Sequence, residues 1–284
     1  MWELFAHHMM RPDLEQLENQ FGSLISWCKE RVEKARSDAS GPQLIGLNAP
    51  QGAGKTTLAA FLVAKLEAAG YSSLSISIDD FYLTRAEQSA LAEKHADNPY
   101  LQARGYPGTH DLELGTKVLT ELSQMSETIR IPRYDKSANG GLGDRLPESR
   151  WSLVEERPDV VFLEGWMLGF QSLPQQALSG AMGEINALLS DYHQWDSLLS
   201  AFIILRPKSS AFVVDWRVEA EATMVDRLGE GMTPAQARAY IELFLPAYEV
   251  YGKSVADGLR IPKWRAVIGK DRSPLPDSVD IDVA

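Results

Sequence analysis

Cysteine is nearly absent: the chain has one, Cys28, in 284 residues. A disulfide within the chain and a thiolate metal cluster are both excluded. Cys28 falls on an apolar stripe at helical spacing, Leu14, Leu17, Phe21, Leu24, Ile25, Cys28 and Val32, so a buried core thiol is expected. Positive charge is also scarce. Lys and Arg number 28 against 39 Asp and Glu, a formal net charge of −11. Nucleic-acid binding needs a basic face and is not expected. An anionic ligand must then be met by a local basic site, by backbone amides or by a metal ion. No apolar run approaches the ~18 residues of a membrane span. The start, MWELFAHHMMRPDLEQ, lacks the basic flank and apolar stretch of a signal peptide and the Arg- and Ser-rich character of a transit peptide. A soluble cytoplasmic protein without a membrane partner is expected.

What is present is alternation. A helix is expected over 12–37, ended by SDASGPQ. Short apolar strands follow at 43–48, 72–79, 159–164, 200–205 and 263–269, each nearly unbroken, as strands buried on both faces are. Helices are expected at 55–69, 112–124, 211–228 and 234–245, the last with Thr233 as N-cap and Pro234 in the first helical position. This order predicts an α/β fold, a parallel sheet with helices on both faces. Between 97 and 151 lies a stretch rich in Gly, Pro, Arg and Asp, too long for an ordinary connection.

At the first strand–helix junction stands Ala49-Pro50-Gln51-Gly52-Ala53-Gly54-Lys55-Thr56, followed by Thr57. It matches the phosphate-binding pattern G-x-x-x-x-G-K-[ST] except for Ala at its head, a difference of one methyl group. In such a loop backbone amides cradle phosphates, the Lys reaches the β- and γ-phosphates, and the hydroxyl ligates Mg²⁺. Gly52 and Gly54 stand where the backbone must approach the phosphates closely. Binding of ATP or GTP follows, with Ala49, Gln51, Gly52, Ala53, Gly54, Lys55, Thr56 and Thr57 as the nucleotide-binding residues.

Three further clusters bear on the acceptor. SIDDFY puts Asp79 and Asp80, and FLEGW puts Glu164, at the carboxyl ends of strands, where ligands of open parallel sheets bind. Such acids can hold Mg²⁺, directly or through water, or accept a proton from an attacking hydroxyl. The segment RIPRYDKSANGGLGDR, residues 130–145, is locally basic, and RGYPGTHD adds Arg104 and His110. A small anionic substrate is expected there, met by Arg104, His110, Arg133, Tyr134 and Lys136. A helical lid is expected at DWRVEAEATMVDRLGEGMTP, with Arg217 acting on the transferring phosphoryl group and Arg227 on the nucleotide.

Taken in order and spacing, GLNAPQGAGKTTL, IDDFYLT, RGYPGTHDLELG, RYDKSANGGLGDR, FLEGWMLGF, WRVEAE and FLPAYE resemble plant-type D-glycerate 3-kinase and its bacterial relatives, over roughly residues 40–284. The phosphate loop and FLEG are shared more widely, with uridine kinase, phosphoribulokinase and pantothenate kinase. The resemblance implies a P-loop kinase domain at 41–284 behind a helical extension at 1–40, with a substrate insert at about 97–151 and a lid at about 211–234. It implies ATP-dependent phosphorylation of the 3-hydroxyl of glycerate, with Mg²⁺. Similarity to the uridine and pantothenate kinases makes Asp79 the candidate base; whether Asp80 shares that role stays open. The catalytic set is then Lys55, Asp79, Asp80 and Arg217, and the metal set Thr56, Asp80 and Glu164. Competing readings keep the fold and change the acceptor to a nucleoside, a sugar phosphate or pantothenate, or make the protein a nucleotide-gated switch or ATPase acting on a protein.

Overall fold

The computed structural model describes residues 11–124, 128–228 and 232–282, without the side chains of residues 11–13, 224, 227 and 228. Helix α1 (Arg11–Asp38) leads into β1 (Gln43–Asn48), the phosphate loop and α2 (Lys55–Ala68). Then come β2 (Ser73–Ser77), α3 (Arg85–Lys94), α4 (Leu112–Gln124), β3 (Ile129–Ile131), β4 (Tyr134–Asp135), β5 (Asp144–Arg145), β6 (Ser152–Val154) and β7 (Val160–Gly165). The last part holds α5 (Gly180–Leu189), α6 (His193–Asp196), β8 (Ala201–Pro207), α7 (Ala211–Leu228), α8 (Pro234–Glu242), α9 (Leu245–Tyr251), β9 (Lys263–Ile268) and β10 (Asp280–Asp282).

Six strands form one sheet in the order β10-β9-β8-β1-β7-β2. The five predicted strands are there and run parallel; β10, which was not expected, closes the edge antiparallel to β9. β1 is central, and Ile45 faces Phe162 on one side and Ala201 on the other. The side chains of β1 are buried above and below the sheet, as in parallel sheets covered by helices, which explains its unbroken apolar run. The loop after β1 thus starts at the middle of the sheet, beside the ends of β7 and β2. That is where the acids of both strands arrive.

Two boundaries differ from expectation for local reasons. β2 stops at Ser77, whose hydroxyl accepts the Asp79 amide and starts a 3₁₀ turn over Ile78–Phe81. The helix expected over 234–245 stops at Glu242 and a new one starts at Leu245, because Pro246 has no N–H to continue the first. The long stretch 97–151 is structured throughout much of its length: besides α4 it carries two antiparallel ribbons, β3 with β6 and β4 with β5. Helix α1 shares the core of the sheet, where Phe21, Leu24, Trp27, Cys28 and Val32 are buried. It is pinned by Arg36 to Asp159 at 2.6 Å and by Lys65 to Glu18 at 2.5 Å. Cys28 is buried, as its stripe predicts, and burial pushes its thiol far above the ordinary range.

Candidate active site

The loop between β1 and α2 turns through two left-handed glycines, Gly52 (φ +75°) and Gly54 (φ +86°), and Gly54 caps the helix. A Cβ on Gly52 would lie 2.8 Å from the backbone carbon of Trp216, so α7 packs directly on the loop. Ala49 is fully buried and is not among the residues with positive φ, which is why a methyl group is accepted where the general pattern has glycine. The Lys55 ammonium curls back to donate to the Pro50 carbonyl at 3.2 Å. Burial lowers its pKa, against the opposing pull of Glu164 and Asp79. The charge therefore sits over the loop, where β- and γ-phosphates would lie.

Two residues that sequence reasoning did not single out complete the loop's support. The Tyr248 hydroxyl, on α9, accepts the Gln51 amide at 3.0 Å. Arg272, itself left-handed at φ +68°, donates Nε to the Gly52 carbonyl at 2.9 Å and Nη2 to Glu219 at 2.8 Å. Tyr248 lies in FLPAYE and Arg272 lies beyond the motifs, and only the folded chain brings them 197 and 220 residues back to the loop.

Glu164, at the end of β7, is buried and accepts the Thr56 hydroxyl at 2.9 Å. Burial raises its pKa, opposed by Lys55. Among the described residues no three His, Cys, Asp or Glu side chains converge to form a ready metal cage. The donor set is nonetheless one that Mg²⁺ uses: a hydroxyl and a carboxylate of hard oxygens beside a phosphate loop, with phosphates and waters supplying the remainder.

The two adjacent acids are partnered differently. Asp80 accepts Arg133 Nη1 at 2.7 Å and the Tyr134 amide at 3.3 Å, while Arg133 Nε donates to the Ser152 hydroxyl. Burial raises Asp80, with Arg133 opposing. Asp79 accepts the Lys136 ammonium at 2.5 Å. Burial would raise Asp79 too, but the Lys136 charge and hydrogen bond outweigh it, helped by His110, and bring it down to about 2. Asp79 also faces Glu164, Lys55 and Tyr240, each of which feels its charge.

Arg133 comes to the site, engaged with Asp80. Arg104 spends its donors on carbonyls of the basic loop, Gly141 at 2.9 Å, Leu142 at 2.5 Å and Lys136 at 3.3 Å, and its guanidinium lies over the Tyr134 ring. His110 is 4% exposed, stacked on Tyr82 and joined through Nδ1 to the Tyr192 hydroxyl at 2.7 Å. Burial lowers its pKa to about 4, so it is a neutral prop behind Tyr82. Its Nε2 has no partner among the described residues. Arg217 pairs with buried Glu221 at 2.5 Å and lies over the Tyr240 ring. The first turns of α7 are docked rather than detached: Trp216 is buried and donates to the Lys270 carbonyl at 2.7 Å. The Arg227 side chain lies outside the described residues.

Residues 44–173 match the model of the phosphoribulokinase/uridine kinase family. The chain is 34% identical over 252 residues to the chloroplastic D-glycerate 3-kinase of Arabidopsis thaliana, an alignment spanning 84% of this chain and 55% of that enzyme. It thus covers little more than half the length of that relative. An uncharacterized kinase of Schizosaccharomyces pombe is 34% identical over 234 residues, covering 78% of this chain and 84% of that one. The solved D-glycerate 3-kinase of Cryptococcus neoformans superposes with a TM-score of 0.81 at 26% identity, over 92% of this chain and 98% of that one. No helix among the described residues is long and apolar enough to cross a membrane. With the phosphate loop, its lysine and the strand-end acids assembled at the carboxyl end of the sheet, the chain belongs to the same family of P-loop kinases as these relatives.

Proposed function

We propose that this kinase transfers the γ-phosphoryl group of ATP to the 3-hydroxyl of D-glycerate. The observation that carries the reading is the Lys136–Asp79 pair, 2.5 Å apart at the open end of β2. A proton acceptor and an ammonium that close together suit an acceptor whose hydroxyl and carboxylate are separated by only a few bonds. A three-carbon hydroxy acid has that form; a neutral nucleoside has no group for Lys136. The D-glycerate 3-kinases of Arabidopsis and Cryptococcus, similar over most of this chain, support the same substrate.

Each side chain then has a task. Lys55 and the amides of residues 51–56 hold the β- and γ-phosphates. Thr56 and Glu164 would hold Mg²⁺, which supplies neutralisation of phosphate charge when bound with ATP. Asp79 orients the acceptor hydroxyl and takes its proton; Lys136 holds the carboxylate. Asp80, fixed by Arg133, positions the turn that carries Asp79. Arg217, one helix turn from Glu221, serves the transferring phosphoryl group. Such a reaction depends on positioning and electrostatics more than on covalent chemistry.

The test is ADP release with Mg-ATP against glycerate, pantothenate, uridine and ribulose 5-phosphate. Glycerate should exceed the others in kcat/KM by at least about tenfold, the scale of one lost charged contact. A clear preference for any of the other three would overturn the reading.

A further inference from the structure

The contrast between Asp79 and Asp80 carries one more conclusion. Asp80 is held by a planar guanidinium that is itself tied to Ser152, and both partners are largely enclosed, with side-chain exposures of 14% for Asp80 and 30% for Arg133. The partner of Asp79 is a flexible ammonium whose side chain is 59% exposed, against 24% for the acid. A fixed pair serves the frame of the site. A long, open side chain on a reactive acid can let go.

The backbone under Lys136 is built to stay while the side chain moves. Arg104 donates to the carbonyls of Lys136, Gly141 and Leu142, clamping both ends of the loop 136–143. Within it the amides of Gly141 and Gly143 return to Ser137 and Ala138. Gly143 (φ +79°) has Tyr134 and Arg104 atoms within 2.5–2.8 Å of where a Cβ would stand, so the loop is packed against its clamp. Lys136 can therefore swing on its four-carbon stem from a fixed anchor.

We infer that Lys136 is the acceptor-sensing residue: it occupies Asp79 until an acceptor carboxylate draws it away, so that the base is free only when the acceptor is in place. This rests on the reading of Asp79 as base and of the acceptor as a hydroxy acid. With the acceptor bound, the hydroxyl proton passes to Asp79 as the new O–P bond forms, the bond from Pγ to the bridging oxygen breaks, and its electron pair leaves on ADP. With water in place of acceptor the same transfer would give free phosphate. Lys136 on Asp79 opposes that reaction by neutralising the carboxylate that would take the water proton. The device separates a small hydroxy acid from water, which is always present and which size alone cannot exclude.

The experiment compares acceptor-free ATP hydrolysis, with Mg-ATP as the only phosphorylated reactant, in the parent, Lys136→Met, Lys136→Arg and the double variant Lys136→Met/Asp79→Asn. Lys136→Met removes the charge partner of a mostly buried Asp79, so some loss of Tm is expected, and thermal unfolding shows that each variant is folded at the assay temperature. The expected result is at least about tenfold faster hydrolysis in Lys136→Met, a fraction of the full worth of a general base. In Lys136→Arg a cation can still cover Asp79, so hydrolysis should be slower than in Lys136→Met, and the double variant should lose the gain. With glycerate added, ADP formed per phosphorylated product should be close to one in the parent and well above one in Lys136→Met. Unchanged or slower hydrolysis in Lys136→Met, or a gain that survives Asp79→Asn, would overturn the inference. Failure of the parent to phosphorylate glycerate would instead overturn the substrate assignment, and the acceptor-free rates would still decide the role of Lys136.

Discussion

Gly52 and Gly54 look equivalent in the sequence, and the structure predicts that they are not. Both have left-handed backbones, so an Ala at either position costs ~1–2 kcal/mol of conformational strain. At Gly54 that is nearly the whole cost, since the nearest atom to a new Cβ is Arg272 Cδ at 3.8 Å. At Gly52 the new Cβ would meet Trp216 C and Cβ at 2.8 Å and its carbonyl oxygen at 2.9 Å. Trp216 is buried and anchored to the Lys270 carbonyl, so it has little room to yield. Overpacking of that kind adds ~1–3 kcal/mol. Gly52→Ala should therefore cost ~2–5 kcal/mol and Gly54→Ala ~1–2, which at roughly 2–4 °C per kcal/mol gives Tm losses of about 4–20 °C and 2–8 °C. Thermal unfolding of the two proteins without nucleotide measures this directly. Gly52→Ala should also raise the KM for ATP, because the clash is relieved only by moving α7 or the loop that cradles the phosphates. Equal Tm losses, or a larger one for Gly54→Ala, would refute the claim that α7 is packed on the loop.

Three further outcomes are expected. Asp79→Asn should lower kcat by about 10²-fold or more while the KM for ATP changes little, since Asn keeps the shape but cannot take the proton; steady-state kinetics would instead point to Asp80 if Asp80→Asn is crippling and Asp79→Asn mild. Arg133→Met leaves Asp80 largely buried with only the Tyr134 amide, so it should cost about 2 kcal/mol, and Asp80→Asn in the same chain should recover part of the lost Tm; an undiminished Tm in Arg133→Met would show that the pair does not hold the frame. Asp196 is buried, accepts from Gly169 and Gln171, and is raised by burial from 3.8 to about 7. Its contribution to stability is full below the unfolded value and is lost as pH rises through about 7. Asp196→Asn, which mimics the protonated acid, should therefore gain Tm relative to the parent as pH rises from 4 to 8, and a difference that is flat across that range would contradict the assignment.

The parts legible in the sequence are those written in local pattern. The strand–loop–helix over Gln43–Ala68 could be read because an apolar run, two glycines and a helix start stand next to one another. The strand-end positions of Asp79 and Glu164 follow from the same kind of reading. Helix α3 had a local signal that went unread, a capping box between Thr84 and Glu87 directly after DDFYL. What was not legible is pairing. Arg133 with Asp80 and Lys136 with Asp79 join residues 53 and 57 positions apart, and in the sequence all four are simply charges beside candidate ligands. Arg104 and His110 show the same gap. Their types suit substrate contact, but the fold gives one to the loop carbonyls and the other to Tyr192, because the segment after Leu101 packs between Tyr82 and α6.

Product analysis tests the central claim most directly. The purified protein is incubated with Mg-ATP and D-glycerate, and ADP, free phosphate and phosphorylated glycerate are quantified together, with the ester position read by NMR. The account predicts one 3-phosphoglycerate for each ADP, little free phosphate, and loss of product in Asp79→Asn. ADP accompanied by equal free phosphate and no glycerate ester would contradict it.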